Sequence, residues 1–457
     1  MPFTRRLLIL LAVLGLIGLP AVALRTLCVG NSCSDTSQAT TRVPFCPLPD
    51  AIKQEITDGY YSGDPSPSPD VFAVTERPDL AGGFGGPKTD VAPPWPSADP
   101  LTNTDVPIVF SGQGVDPKTP VPKGTRLDAI APSLADILRY TRPNPTVRSG
   151  VPVPNIVGGQ PPRLVLEVAW KGIGSQDLTA DPKAWPFLRS LMRSGAGTLS
   201  GTTGSLPLDP AASLATIGTG GPPSENGITG TLVRNKEGAV VEAWGKGSPP
   251  LVIATLADNL DAPSLFGGLD DQKPLVGLVG TEVADQGLIG SGWYTPHDTD
   301  ARTITKPGNE VAAATKVLAT GFGKDAIPDV LGVVLQDSVK HMDASLRAIV
   351  DAATRASGGS VTIVVAGTGS ASAANTGTGS TDPSQLISTV EQHVKGTQPV
   401  VQAAVAGGLF LDRQTLASEG ISSQTVVQAL LGLKAPQGGP LLADAFPGFA
   451  ISFAKYC

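Results

Sequence analysis

Hydrophobic and polar positions follow two periods along the chain. Short runs of apolar, mostly β-branched residues predict buried strands, most clearly at 164–169, 330–335 and 361–365. Apolar residues three and four apart predict amphipathic helices, most clearly at 342–356. Because such strands and helices alternate, we predict an α/β fold: a three-layer sandwich whose mostly parallel central sheet is flanked by helices.

The segment 163–230 has clear helix start and stop signals. Pro186 suits the first position of a helix and Gly195 its C-terminal end, which predicts a short helix between them. Asp209 is a good N-cap residue, so a second helix is predicted to begin at Pro210. The predicted order is therefore strand, loop, helix, then a strand, a turn and a second helix.

The N-terminus is typical of an exported protein. Two arginines precede an apolar run at 7–24, and the residues at 21–23 resemble a signal-peptidase site. The run is also long enough to span a bilayer if it is not cleaved. We therefore predict a signal peptide or membrane anchor at 1–24, and both alternatives place residues 25–457 outside the cytoplasm, secreted or at the cell surface.

Charge and cysteine content narrow the function classes further. The 457-residue chain has a net charge of −7 and no run of Lys and Arg, which argues against a nucleic-acid partner. Its four cysteines are an even number in an exported chain, which favours disulfides. We expect Cys28–Cys33 and Cys46–Cys457. Alternatively, Cys28 and Cys33 remain free in a flexible stalk at 25–45.

The element order in 163–230 resembles the opening of the alkaline phosphatase superfamily, in particular its type I phosphodiesterase/nucleotide pyrophosphatase branch. The residues that carry the resemblance are the strand 164–169 with Lys171-Gly172, the helix start at Pro210, Gly218-Thr-Gly220 and Asn226-Gly-Ile228. In that family the first strand ends in Asp-Gly, with the Asp on a metal, and a Thr or Ser nucleophile begins the next helix. Here Lys171 stands at the metal-binding position, and Pro210 or a near neighbour at the nucleophile position.

A second resemblance lies earlier in the chain. Residues 105–114 and 124–138, a Val-Pro strand and an Ile-Ala-Pro-Ser helix, are similar to the closing segment of the same family. Because they precede the opening strand here, the resemblance implies a circularly permuted order, in which a Cys46–Cys457 bond would close the ring. The implied domains are 46–162, which completes the core, 163–399, the main core, and 400–457, a cap-like insertion and chain end.

Active members of the superfamily hold two divalent cations on Asp and His side chains at strand ends. Among the matching positions, Asp337 and His341 keep the Asp-x-x-x-His spacing, whereas the Asp-His position is Gly367-Thr368 and the late His falls near Phe84. The resemblance therefore implies a catalytically degenerate member without a cofactor. Zinc or another divalent cation is expected only if the protein is active.

The residues expected in the remnant pocket are Lys171, Asp209, Ser213, Asp337 and His341. Lys171 is either a solvated loop residue, or its ammonium replaces a cation and pairs with Asp337. Asp337 and His341 form either a hydrogen-bonded pair or part of a metal site. The pocket could still bind an anion such as phosphate, through Lys171 and the helix amides at Pro210. Ser213 has no motif histidine, which argues against a serine hydrolase.

Together these observations predict an exported, catalytically degenerate alkaline phosphatase-like protein that acts as a cell-surface binding or scaffolding protein. Its partner would be an unidentified protein or envelope component, with membrane contact through the N-terminal segment if that segment is uncleaved. One alternative is an active phosphodiesterase or phosphatase with a site rebuilt around Asp337, His341 and Asp209. The other is an envelope structural protein.

Overall fold

A computed structural model describes residues 43–77, 94–99, 101–269, 272–290, 301–371, 383–435 and 438–457. The chain divides into two units, 1–43 and 44–457, and all but one residue of the first lie outside the described ranges. The predicted segment 1–24, the Cys28–Cys33 pair and Phe84 also lie outside them. Within the described ranges, every helix is too short or too polar to cross a bilayer.

The second unit is built from strands and helices that alternate over most of its length. The strands are β1 (Val71–Thr75), β2 (Asp105–Gly112), β3 (Leu164–Trp170), β4 (Ala196–Thr202), β5 (Leu232–Arg234), β6 (Val240–Glu242), β7 (Val276–Gly280), β8 (Ala301–Ile304), β9 (Asp329–Leu335), β10 (Val361–Gly367), β11 (Val401–Val405), β12 (Gly408–Leu411) and β13 (Leu442–Pro447). The helices are α1 (Asp50–Gly59), α2 (Ile130–Ile137), α3 (Ser175–Ala180), α4 (Pro186–Ser194), α5 (Pro210–Thr219), α6 (Pro223–Asn226), α7 (Leu256–Leu260), α8 (Glu310–Leu318), α9 (Val339–Ala356), α10 (Pro383–Val394), α11 (Arg413–Glu419) and α12 (Ser423–Leu431).

The main sheet has seven strands in the order β4-β2-β10-β3-β9-β7-β8. Strands β10, β3, β9, β7 and β8 pair in parallel with one another, and β2 runs antiparallel to both of its neighbours, β10 and β4. Helices α2, α5 and α7 pack on one face of this sheet, and α4, α8 and α9 on the other. The predicted fold class, a three-layer sandwich with a mostly parallel sheet, is confirmed.

A second, antiparallel sheet joins the two ends of the described chain. Its order is β11-β12-β1-β13, so that β1 pairs with two strands from the C-terminal region. Cys46 and Cys457 form a disulfide beside it, with their Cα atoms 5.2 Å apart, and this is the bond expected from the sequence. β1 therefore folds with residues 400–457, whereas β2, also in the predicted 46–162 segment, belongs to the main sheet.

Candidate site at the carboxyl edge of the main sheet

Lys171 lies at the carboxyl end of β3, the central strand of the main sheet. The chain turns sharply after it, because Gly172 has a φ of +74°, a left-handed conformation that suits glycine. The Lys171 side chain has 0% exposure, and its Nζ donates to Glu282 Oε1 and, at 2.8 Å, to Asp285 Oδ1. Lys171 is thus a buried ion-pair residue. Neither the solvated-loop alternative nor the predicted pairing with Asp337 is correct.

Glu282 and Asp285 are supplied by the turn that follows β7. The backbone N–H groups of Thr281 and Glu282 donate to Asp285 Oδ2 at 2.7 and 3.1 Å, which fixes that carboxylate at the start of a short 3₁₀ helix. The other Asp285 oxygen is then directed at Lys171. We did not expect either acid from the sequence. The available signal was an acidic pair shortly after the apolar run at 275–279, at the sheet edge where α/β proteins place their sites.

The electrostatics of this group favour a protonated lysine. Burial lowers the pKa of Lys171, but the charges of Asp285 and Glu282 outweigh that effect, so that its pKa is raised above the usual value. The ammonium therefore stays charged, and it offsets part of the negative charge of two carboxylates that would otherwise repel each other in a largely buried site.

Asp209 is the N-cap of α5, as predicted. Its Oδ1 accepts hydrogen bonds from the Ala211 N–H at 2.8 Å and from Thr231 Oγ1 at 3.0 Å. Burial raises the pKa of Asp209, while these hydrogen bonds and the charge of Lys171 oppose the shift. An acidic side chain therefore already occupies the N-terminus of α5, the position at which a helix could otherwise bind a phosphate.

The space beside Asp209 is small. The cavity there has a volume of about 20 Å³ and is closed in part by Val405 and Ala406, at the turn between β11 and β12. A cavity needs about 10–15 Å³ to hold one water molecule, so this one has room for a water but not for a phosphate ester.

Ser213 is fixed as a structural hydrogen-bond donor. Its Oγ donates to the Thr368 carbonyl oxygen at 3.1 Å, and the Thr368 hydroxyl accepts from the Gly172 N–H at 2.8 Å. Thr368 stands where the resemblance expects a metal-binding Asp-His pair. These bonds join α5, the end of β10 and the turn after β3, and they direct the Ser213 hydroxyl at a carbonyl group.

Asp337 and His341 are close to each other at an exposed position. His341 Nδ1 is 3.1 Å from Asp337 Oδ1, and their side chains are 70% and 42% exposed. A backbone hydrogen bond from Ser338, together with His341, lowers the pKa of Asp337. In the part of the chain that the structure describes, no three His, Cys, Asp or Glu side chains are grouped to hold a metal ion. The contact between the two side chains agrees with the hydrogen-bonded alternative.

Loss of this exposed pair should have little effect on folding. We expect His341→Ala to change the free energy of unfolding by no more than about 0.5 kcal/mol, because exposed ion pairs contribute little. Urea unfolding followed by circular dichroism at pH 7 measures this change. A loss of several kcal/mol would show that His341 has a partner beyond Asp337.

Comparisons with known proteins give low-scoring matches among solved structures. No protein-family model matches the chain, and no curated protein matches it. Among solved structures, it is similar to phosphonoacetate hydrolase from Sinorhizobium meliloti 1021 in complex with phosphonoacetate, at 17% identity and a TM-score of 0.29, over 45% of this chain and 55% of that one. The chain therefore spans about half the length of the hydrolase.

A second solved structure, a mutant of the alkaline phosphatase PafA, matches at 13% identity with a TM-score of 0.40, over 59% of this chain and 76% of that one. Both proteins belong to the alkaline phosphatase superfamily. At these identities the likeness transfers no site residue to this chain, so its chemistry follows from its own geometry.

Proposed function

We propose that this chain is an alkaline phosphatase-like protein that no longer hydrolyses phosphate esters and that acts outside the cytoplasm as a binding or scaffolding protein. The observation that carries the proposal is the Lys171 ammonium, buried between Glu282 and Asp285. It lies at the strand end where the family resemblance places a metal-binding aspartate.

A lysine at this position works against metal-assisted hydrolysis. Catalytic divalent cations activate a nucleophile and neutralise the substrate phosphate. Here the acids that could bind such a cation already bind an ammonium, and a second positive charge beside Lys171 would be repelled. The Asp209 side chain already binds the Ala211 N–H at the helix N-terminus, so that this amide is not available to a phosphate.

A role outside the cytoplasm is supported by the apolar N-terminal run and by the cysteines. The Cys46–Cys457 bond is of the kind that persists in oxidising compartments and is rare in the cytosol. Without a catalytic role, the folded domain would act as a rigid binding surface for a protein or envelope partner. A fold alone does not define that partner.

The first test is the metal content of the purified full-length protein. The protein is incubated with zinc, manganese and calcium, desalted and analysed by elemental mass spectrometry, and hydrolysis of bis(4-nitrophenyl) phosphate is then assayed. We expect no stoichiometric metal and no turnover above the buffer rate. The His341→Ala variant is assayed in parallel, so that any turnover that depends on His341 can be recognised.

Two results would contradict the proposal. Binding of about two equivalents of zinc would mean that a two-metal site exists. Turnover that is sensitive to a chelator and lost in His341→Ala would establish the alternative, an active phosphodiesterase with a site rebuilt around Asp337 and His341.

A further inference from the structure

A larger pocket lies where the segment before β1 meets α11, the turn after α11 and the end of β13. Its volume is about 420 Å³. Small-molecule sites typically have volumes of about 300–1,000 Å³. Most of the side chains that line the pocket are apolar, among them Tyr60, Leu411, Leu416, Ile421, Pro447 and Phe449. None of these residues belongs to the site at the carboxyl edge of the main sheet.

Two aromatic rings form part of this apolar lining. The Tyr60 ring packs edge-on against the buried Phe72, with ring centroids 5.9 Å apart, so that the core holds it in place. Phe449 lies two residues after β13 and is 60% exposed. An apolar ligand in the pocket would remove part of both rings from water.

Asp70 and Arg413 are the charged residues that line the pocket, and the protein already uses both oxygens of Asp70. Asp70 Oδ2 accepts from the Arg234 guanidinium and, at 2.8 Å, from the Leu411 N–H. Asp70 Oδ1 accepts from Arg413 Nε at 2.8 Å. One carboxylate is therefore shared by two guanidinium groups.

The first of these guanidinium groups, that of Arg234, is not available to a ligand. Its side chain is 1% exposed. Besides Asp70, it donates to the carbonyl oxygens of Gly238 and Leu411 and to Gln402 Oε1. Arg234 is thus a structural residue that ties β5 to the second sheet.

Arg413 differs because it keeps most of its donors. Its Nε–H is bonded to Asp70, and it has no other hydrogen-bond partner among the residues that the structure describes. A guanidinium has five N–H groups, so Nη1 and Nη2 remain, and together they match the two oxygens of a carboxylate. The side chain is 48% exposed, so a ligand can reach them from solvent.

Two neighbours set the electrostatics around Arg413. Burial raises the pKa of Tyr60 and the charge of Arg413 opposes the shift, which places the guanidinium within electrostatic reach of the phenol in the pocket. Asp412 precedes Arg413 in the chain but does not line the pocket. Its carboxylate caps α11 by accepting from the Thr415 N–H at 2.8 Å.

We infer that this pocket binds a free aromatic acid, in which a carboxylate is joined through a short chain to a phenyl-sized group. The Nη1 and Nη2 groups of Arg413 would bind the carboxylate in a bidentate manner. The rings of Tyr60 and Phe449 would pack against the aromatic group. A carboxylate is preferred to a phosphate, because a single guanidinium faces the ligand and the charge of Asp70 lies beside it. The inference is independent of the function proposed above.

The test is a titration of purified full-length protein with hydrocinnamate, by isothermal calorimetry at pH 7. We expect saturable binding of hydrocinnamate, and weaker or no binding of the uncharged hydrocinnamyl alcohol. Arg413→Gln should weaken hydrocinnamate about tenfold or more, because it removes the charged fork. Arg193→Gln is the matched control and should bind like wild type, because Arg193 is an exposed arginine on α4 that does not line the pocket.

A second variant tests the apolar part of the site. Ala417 lines the pocket from an exposed position of α11, so that Ala417→Phe fills the pocket without entering the core. We expect this variant to lose hydrocinnamate binding although Arg413 is intact. Binding that persists in Ala417→Phe would place the anion on the surface and would contradict the inference.

A peptide that ends in phenylalanine presents the same two groups, so N-acetyl-alanyl-phenylalanine is titrated as well. Tighter binding of hydrocinnamate supports a free acid, whereas tighter binding of the peptide would overturn that assignment and identify a peptide C-terminus. Three further outcomes would overturn the inference: no saturable binding to folded wild-type protein, equal affinity in wild type and Arg413→Gln, or alcohol binding as tight as that of the acid. A thermal unfolding curve for each variant confirms that it is folded.

Discussion

Replacement of Lys171 by alanine is expected to lower the free energy of unfolding by about 3–5 kcal/mol, because it leaves buried carboxylates without their partner charge. Asp285 has 0% and Glu282 17% side-chain exposure, so water cannot fully replace the ammonium. Urea unfolding at pH 7 measures the loss. Lys236→Ala is the control: Lys236 is 83% exposed, so this change should stay within about 0.5 kcal/mol of wild type.

A further variant separates lost charge from lost packing. In Lys171→Met/Glu282→Gln/Asp285→Asn all three charges are removed and the volume is nearly kept, so this variant should be more stable than Lys171→Ala. Millimolar Ca²⁺ should also recover part of the stability of Lys171→Ala, since the vacated space lies between two carboxylates. A single substitution that costs less than about 1 kcal/mol would show that the pair is solvated, which would contradict the burial argument.

Glu167 is expected to make folding stability fall as pH rises. Burial raises its pKa from an ordinary value of 4.5 to about 8, so the folded state holds a proton that the unfolded state releases. The stability contributed by this proton is fully present below about pH 4.5 and is lost as pH rises towards about 8, at about 1.4 kcal/mol per pH unit. Glu167→Gln should remove this component and be about 4 kcal/mol more stable than wild type at pH 7.5.

Urea unfolding of both proteins at several pH values between 5 and 8 provides the measurement. Other buried carboxyl groups also contribute to the pH dependence, so the difference between the two curves is the quantity that reports on Glu167. Glu237→Gln, at a side chain with 60% exposure, is the control and should follow wild type. If Glu167→Gln and wild type have parallel curves, Glu167 ionises normally and is reached by water.

The sequence predicts the local elements of this fold well. The periods of apolar residues indicate β3, β9, β10 and α9, and Asp209 with Pro210 identifies the start of α5 to the residue. These features depend on neighbours within a few positions, so a single chain is sufficient to recognise them. The Cys46–Cys457 bond could be predicted from the sequence for a different reason, because four cysteines allow few pairings.

The composition of the site could not be predicted in the same way. Lys171 and Glu282 are 111 residues apart in the chain. They meet because the sheet order places β7 one strand away from β3, across β9, and no local pattern encodes that order. Conversely, the Asp-x-x-x-His spacing at 337–341 matches a family motif, yet the turn after β9 leaves this pair exposed to solvent.

The second sheet was missed for related reasons. The segment of β11 and β12 is rich in alanine and glycine, which have weak strand preferences. Its order comes from pairing with β1, more than 300 positions earlier, where Val71 is opposite Leu409. Helix α12 in the same region depends less on distant strands, because it has its own cap at Ser422.

The closure of the chain by Cys46 and Cys457 also bears on how the molecule withstands proteases. Any single cut between these residues opens a covalent ring without releasing a fragment, because both pieces stay joined through the disulfide. Loops between the elements of the main sheet can therefore be nicked while the chain remains one molecule. Release of any part of residues 46–457 would require a second cut or a reductant.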